Sequence, residues 1–144
     1  MKYFKFLSFL FLLTFTSCQG QDNSKTVSTT NTATKIEVID FYGTHRCVTC
    51  EAIEANARYT VENFFQNEVK EGKVEFKTVN VDDEKNYDMA EKFEATGTAL
   101  FINVIKDGKE QHIDLTNFAF AKGKDKEAFS TELKEKINEQ LKTL

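Results

Sequence analysis

The sequence predicts an α/β domain built on a four-stranded mixed sheet with helices on both faces. Short β-rich apolar runs alternate with helical periodicity, an Asp-Gly turn then joins two further strands, and an amphipathic helix closes the chain. A crossover helix after the first strand requires a parallel strand pair, whereas the tight turn requires an antiparallel pair. The predicted elements are strands over 36–42, 74–81, 99–105 and 110–115 and helices over 50–69, 84–95 and 126–141.

Turn and cap residues set the limits of the two crossover helices. Apolar or small residues recur on one face of the first helix for about five turns, and Gly72 stops it. Asp82 and Asp83 follow the second strand and can cap the next helix, which Gly97 ends. Both helices thus connect consecutive strands of the predicted sheet.

The last third of the chain is predicted as a hairpin followed by a helix. Residues 106–109 contain Asp-Gly, which supplies the positive φ angles of a tight type I′ turn. Residues 117–123 are predicted as a loop or irregular extension, in which Phe118 and Phe120 pack under the final helix; a partner groove lined by these aromatic residues is the alternative. That helix, 126–141, carries an apolar residue at every fourth position.

Length and composition indicate one globular domain. A chain of 144 residues that is 40% hydrophobic can bury a substantial core. The formal net charge is −4, and no basic stripe is present, so a nucleic-acid partner is not expected.

Residues 1–17 resemble a bacterial lipoprotein signal peptide. Lys2 and Lys5 precede an apolar run over 6–15 that is too short for an ordinary membrane span, and small residues come just before Cys18. The Cys18 thiol is therefore predicted to receive a diacylglyceryl group, which would anchor the protein in a membrane. Cleavage without lipidation and an uncleaved N-terminal anchor are the alternatives.

Residues 18–35 are predicted to be a flexible tether to a domain over 36–144. The segment is rich in Gln, Asn, Ser and Thr and too poor in apolar residues to support a core. In some bacteria, an acidic residue after the lipidated cysteine retains a lipoprotein in the inner membrane, and Gln19 stands there instead. We therefore expect a cell-envelope protein on the periplasmic side, with the outer membrane favoured over the inner.

A Cys-x-x-Cys pair, Cys47 and Cys50, lies at the junction of the first strand and first helix. Such a pair can close into a small disulfide, and the helix N-terminus stabilises the thiolate of the first cysteine. A purely structural disulfide is the alternative, but so short a loop removes little entropy from the unfolded chain. We predict that Cys47 exchanges through a mixed disulfide and that Cys50, buried one turn along, resolves it. His45 and Arg46 are predicted to tune the thiolate; the alternative is that either one is a solvent-facing residue without this role.

Binding of a soft ion is the second hypothesis for the dithiol. Thiolates suit Cu(I), Zn(II) or As(III), and His45 offers a third donor. A closed zinc site needs four ligands, and the chain has only 2 histidines and 3 cysteines, one of them in the predicted lipidation signal, so no structural metal is predicted. The sequence has no flavin or nicotinamide fingerprint, and no cofactor is predicted. A tethered interaction module without redox chemistry is a third reading, against which the intact dithiol argues.

Residues 36–144 resemble the thioredoxin family. The resemblance rests on Val38-Ile39-Asp40-Phe41-Tyr42 followed by Cys47-x-x-Cys50 at a helix start. The segment from Phe41 to Glu54 is similar to the nitrophenyl compound nitroreductase subunit ArsF family. These resemblances imply a thioredoxin-like fold, a protein thiol or disulfide partner, and an electron-passing role linked to an arsenic-related redox or transport system; they do not imply nitroreductase activity.

Several residues depart from the thioredoxin pattern. Asp40 corresponds to the buried acid of thioredoxins, which implies a proton relay; a partly solvated aspartate at a strand end is the alternative. Arg46 replaces the tryptophan before the first cysteine, and we expect its charge to favour the Cys47 thiolate. Since the chain has no proline, Thr98 or Ala99 lies where thioredoxins have a cis-proline. We expect a trans bond there and a reshaped substrate groove.

Overall fold

The computed structural model describes residues 34–144, so the predicted lipoprotein signal and nearly all of the predicted tether lie outside the described residues. No helix within 34–144 is long and apolar enough to cross a membrane. The strands are β1 (Lys35–Tyr42), β2 (Val74–Asn80), β3 (Ala99–Lys106) and β4 (Lys109–Asp114). The helices are α1 (Val48–Phe64), α2 (Gln66–Lys70), α3 (Tyr87–Lys92), α4 (Thr116–Lys122) and α5 (Lys126–Leu141), with a 3-10 turn at Glu84–Asn86.

The four strands form one mixed sheet in the order β2-β1-β3-β4. β1 is parallel to β2 and antiparallel to β3, and β3 and β4 form the antiparallel hairpin. This strand order and pairing, with helices on both faces, is that of a thioredoxin-like fold and confirms the predicted fold class.

β1 is buried on both faces because it lies in the middle of the sheet. Ile36 and Val38 pack into one core cluster with residues of α1, α4 and α5, and Ile39 and Phe41 pack into a second cluster on the opposite side. In the second cluster, the Phe41 ring lies 5.3 Å from the ring of Phe93. The two clusters fix the strand that leads into the cysteine pair.

The crossover helices differ from the prediction at their ends. The predicted helix over 50–69 is two helices, since Phe65 leaves helical geometry (φ −127°, ψ 31°) and is buried in the core at 2% exposure. α1 also begins at Val48, before Cys50. The second predicted helix, over 84–95, is a 3-10 turn followed by α3, which ends at Lys92. At the start of the 3-10 turn, Asp83 accepts a hydrogen bond from the Lys85 N–H at 3.3 Å.

The prediction of a loop over 117–123 was wrong, because residues 117–122 belong to α4. An Asp114 oxygen accepts a hydrogen bond from the Thr116 N–H at 2.7 Å at the start of the helix, and Ala119 is buried in the core. Phe118 packs against a ring of α5, as expected, whereas Phe120 is exposed. A helix this short depends on tertiary packing more than on its own periodicity.

Gly123, just after α4, lies against α1. The Asn56 side chain donates a hydrogen bond to the Gly123 carbonyl at 2.9 Å. A Cβ on Gly123 would lie 2.8 Å from the Ala119 carbonyl oxygen, 3.0 Å from Ile53 Cγ1 and 3.2 Å from the Thr49 methyl group. Only a glycine fits here without a shift of α1 or α4.

We therefore expect Gly123→Ala to lower the free energy of unfolding by about 1–3 kcal/mol, the usual cost of overpacking. Urea denaturation measures the change. Gly97→Ala is the matched control, because no heavy atom lies within 4 Å of a Cβ there. Equal stability of the two variants would contradict the close packing described for Gly123.

Candidate active site

Cys47 and Cys50 form a disulfide at the start of α1, with their Cα atoms 5.1 Å apart. Cys47 is exposed, whereas Cys50 is 8% exposed. The two cysteines therefore differ in exposure: Cys47 lies at the surface of the domain, while Cys50 is buried.

Cys47 is the N-cap residue of α1. Its backbone is extended (φ −89°, ψ 159°), and its sulfur accepts a hydrogen bond from the Cys50 N–H at 3.1 Å. The helix N-terminus carries partial positive charge from unpaired N–H groups. A thiolate on Cys47 would accept this bond more strongly than a neutral thiol, which favours the ionised nucleophile.

Asp40 is fully buried in β1, between Thr78 of β2 and Leu100 of β3 in the strand register. The alternative of a partly solvated aspartate was therefore wrong. Burial raises the pKa of Asp40 to about 7; the positive charge of Arg46 opposes this rise, and the negative charge of Glu54 adds to it. A carboxyl group with this pKa can gain or lose a proton near neutral pH.

Arg46 links Asp40 to the first turns of α1. Its Nη2 atom donates to Asp40 Oδ2 at 3.3 Å and to the Cys50 carbonyl oxygen at 3.1 Å, and its Nη1 atom pairs with Glu54. The guanidinium carbon also lies 4.6 Å from the centre of the Tyr42 ring. The positive charge of Arg46, which we expect to favour the Cys47 thiolate, is thus shared between the carboxyl groups of Asp40 and Glu54.

Glu54 is a residue of the site that sequence reasoning missed. It lies on α1 one turn beyond Cys50, and it also accepts a bond from Arg58 at 2.8 Å. Although partial burial opposes the change, the bonds from Arg46 and Arg58 lower the pKa of Glu54. The only sequence signal was the Glu-Arg pair four residues apart, which is common on exposed helix faces.

His45 is exposed at the turn before α1. Thr98 precedes β3, and Ala99 begins that strand opposite Phe41. No peptide bond within 34–144 is cis, in agreement with the trans bond expected here.

Thr98 and Ala99 help to line a cleft of about 580 Å³ between the end of α3 and β4. The lining residues include Phe93, His112 and Asp114 but neither cysteine. The structure therefore places the two predicted groove residues in this cleft and His45 outside its lining.

The described part of the chain holds no group of three or more His, Cys, Asp or Glu side chains that is arranged to bind a metal ion. The His112 ring stacks on the Phe93 ring with their centres 3.9 Å apart, and its Nε2 atom lies 3.4 Å from Glu110 Oε2. What the dithiol region offers chemically is a disulfide with one accessible sulfur and a buried carboxyl group that titrates near neutral pH.

No protein-family model matches this chain, and no curated protein matches it. A thioredoxin from Thermus thermophilus is similar at 16% identity over 70% of this chain and 72% of that chain, with a TM-score of 0.47. Mitochondrial thioredoxin 3 from Saccharomyces cerevisiae, in its oxidised form, is similar at 25% identity over 64% of this chain and 78% of that chain, with a TM-score of 0.41. The fold follows from the strand order and pairing described above.

We expect Asp40→Asn to stabilise the oxidised protein at alkaline pH. A carboxyl group whose pKa is about 7 in the folded state binds its proton more tightly there than in the unfolded chain, so stability falls as pH rises from about 4 to 7. At pH 8 the free energy of unfolding of the variant should exceed that of the wild type by as much as about 4 kcal/mol. Near pH 4 the two free energies should be almost equal.

Chemical denaturation at several pH values measures this difference. Asp88→Asn removes an exposed carboxylate and controls for the loss of one negative charge. A stability gain that stays the same from pH 4 to pH 8 would contradict a raised pKa for Asp40.

Proposed function

We propose that this protein is a thiol–disulfide oxidoreductase whose exposed Cys47 exchanges with a thiol or disulfide of a partner protein. The observation that carries the proposal is the disulfide at the N-terminus of α1, in which Cys47 is exposed and Cys50 is buried. A bridge between residues three apart is a poor structural staple, because it closes a very short loop. Exchange chemistry explains the exposure of Cys47 better than a stabilising role does.

In the oxidising direction, a partner thiolate attacks Cys47 Sγ, and the bond to Cys50 breaks. The partner sulfur is oxidised, and the electron pair of the broken bond leaves on the Cys50 sulfur. A second partner thiolate then attacks the mixed disulfide, so the partner leaves with a disulfide and Cys47 leaves as a thiolate. In the reducing direction, the Cys47 thiolate attacks a partner disulfide, and Cys50 resolves the intermediate.

Asp40 is the proposed proton acceptor for Cys50 in the reducing direction. The Nη2 atom of Arg46 contacts both Asp40 Oδ2 and the Cys50 carbonyl, so the carboxyl group lies close to the backbone of the resolving cysteine. Because burial raises the pKa of Asp40 to about 7, this group is a base of suitable strength near neutral pH.

We expect Cys47→Ser to abolish exchange and Cys50→Ser to accumulate mixed disulfides, because only the resolving thiol is then missing. Insulin reduction with dithiothreitol as reductant measures exchange, and non-reducing electrophoresis followed by mass spectrometry of cell extracts identifies trapped partners. The double variant controls for capture that does not depend on these thiols. Exchange that persists in Cys47→Ser would contradict the assigned nucleophile.

A link to an arsenic-related redox or transport system is the finer proposal, supported by the resemblance of residues 41–54 to the ArsF family. In this role, the protein would pass electrons to a partner of that system. A carrier for arsenite or Cu(I) is the alternative use of the same two thiols. Stoichiometric arsenite binding by the reduced wild type, together with no exchange and an empty Cys50→Ser trap, would favour the carrier.

We also propose that the protein is anchored in the cell envelope through a lipid on Cys18, on the periplasmic side and with the outer membrane favoured. The support is the sequence pattern of residues 1–18 and the polar residues that follow it. Membrane placement would restrict the protein to partners in the same compartment, where disulfides persist.

For the full-length chain expressed in a Gram-negative host, we expect incorporation of labelled palmitate and recovery in the outer-membrane fraction. Cys18→Ser should lose both the label and the membrane association, because it lacks the acceptor thiol. Cys50→Ser, which leaves Cys18 intact, is the control and should stay labelled. A wild-type chain without label would contradict lipidation.

A further inference from the structure

We propose that Glu54 is a positioning residue of the resolving step: by holding the guanidinium group of Arg46, it limits the pairing of that group with Asp40 and leaves the buried carboxylate able to accept the Cys50 proton. This inference rests on the proposed oxidoreductase function. It assigns a role to a side chain that lies one turn beyond Cys50 on α1 and outside the Cys-x-x-Cys motif.

The contacts of Arg46 are divided between the two acidic residues. Nη1 pairs with Glu54, while Nη2 is shared by Asp40 and the Cys50 carbonyl oxygen. Asp40 therefore receives one hydrogen bond, 3.3 Å long, from a group that can donate two parallel bonds to a carboxylate. Within residues 34–144, Asp40 Oδ1 and Arg46 Nε are buried without a hydrogen-bond partner.

This incomplete pairing matters because Asp40 is fully buried. A bidentate arginine would stabilise the carboxylate strongly and make it a weak base. Because Glu54 competes with Asp40 for Arg46, the arginine offsets only part of the cost of burying the Asp40 carboxylate. Burial still raises the pKa of Asp40 to about 7. The charged groups that act on Asp40 are Arg46 and Arg58, which favour its carboxylate, and Glu54, which disfavours it.

Glu54 is itself held in place from the surface side of α1. Its second oxygen accepts a bond from Arg58 at 2.8 Å, one turn further along the helix, and its side chain is 21% exposed. Two arginines thus orient one carboxylate, which fixes the point at which the Arg46 guanidinium is anchored.

In the resolving step, the Cys50 thiol gives its proton to Asp40, and the resulting thiolate attacks Cys47 Sγ in the mixed disulfide. The Cys47–Cys50 bond forms, the bond to the partner sulfur breaks, and the partner leaves as a thiolate that takes a proton from water. Without the charge of Glu54, Arg46 is free to pair more fully with Asp40. The carboxylate then becomes a weaker base, and its titration moves to lower pH.

Glu54→Gln tests this inference in the full-length chain. Carbon-13 NMR of the Asp40 carboxyl group follows its titration directly in the oxidised protein, and single-turnover kinetics give the pH midpoint of Cys50-dependent release of a bound partner. We expect both midpoints to fall by about one pH unit, the size of shift that one nearby charge produces.

Glu62→Gln is the matched control, since Glu62 lies on the same helix and pairs only with Arg58 in the described structure, at 3.9 Å. It should leave both midpoints unchanged. Glu54→Asp keeps the charge, and its midpoints should lie closer to the wild type than those of Glu54→Gln. This second variant separates the effect of charge from a general disturbance of α1.

An Asp40 titration midpoint that stays constant or rises in Glu54→Gln would overturn the inference. A wild-type protein that exchanges with neither a thiol nor a disulfide partner would overturn the proposed function instead, and the NMR titration distinguishes the two failures because it does not depend on exchange.

Discussion

The hydrogen bond from the Cys50 N–H to Cys47 Sγ is the interaction on which the site depends. It makes Cys47 the N-cap of α1, so the first sulfur lies at the exposed end of the helix and the second lies one turn inside. The same local structure thus starts the helix and separates the two sulfurs by exposure. Because β1 is buried on both faces, the junction that carries the pair is held by the core on either side of the sheet.

The buried carboxyl group of Asp40 lowers the stability of the fold when it is ionised, and the same ionised form is the proposed base for Cys50. Keeping Asp40 ionised in the core is unfavourable, and its single long contact with Arg46 compensates only in part. A better-paired carboxylate would stabilise the fold but would bind the Cys50 proton less well. The division of Arg46 between Asp40 and Glu54 is consistent with a site that retains a base of intermediate strength at the expense of stability.

Local patterns were enough to predict the sheet, because an apolar strand, a crossover helix and an Asp-Gly turn each leave a sequence signal. The early start of α1 left none, since cysteine is not among the usual N-cap residues. The break at Phe65 and the helix at 116–122 depend on burial against distant elements. The position of the dithiol was visible in Cys47-x-x-Cys50, but the role inferred for Glu54 required residues of β1 and α1 to meet in three dimensions.

The pH dependence of Cys47 alkylation tests the central claim most directly. In a Cys18→Ser, Cys50→Ser background, Cys47 is the one remaining thiol of the chain and retains the Cys50 backbone N–H. If the helix N-terminus stabilises the Cys47 thiolate, the rate of alkylation by iodoacetamide should reach half of its maximum well below pH 8.5, which is about the pKa of an ordinary cysteine. A midpoint near pH 8.5 would mean that the cap does not activate Cys47, and the redox account would lose its physical basis.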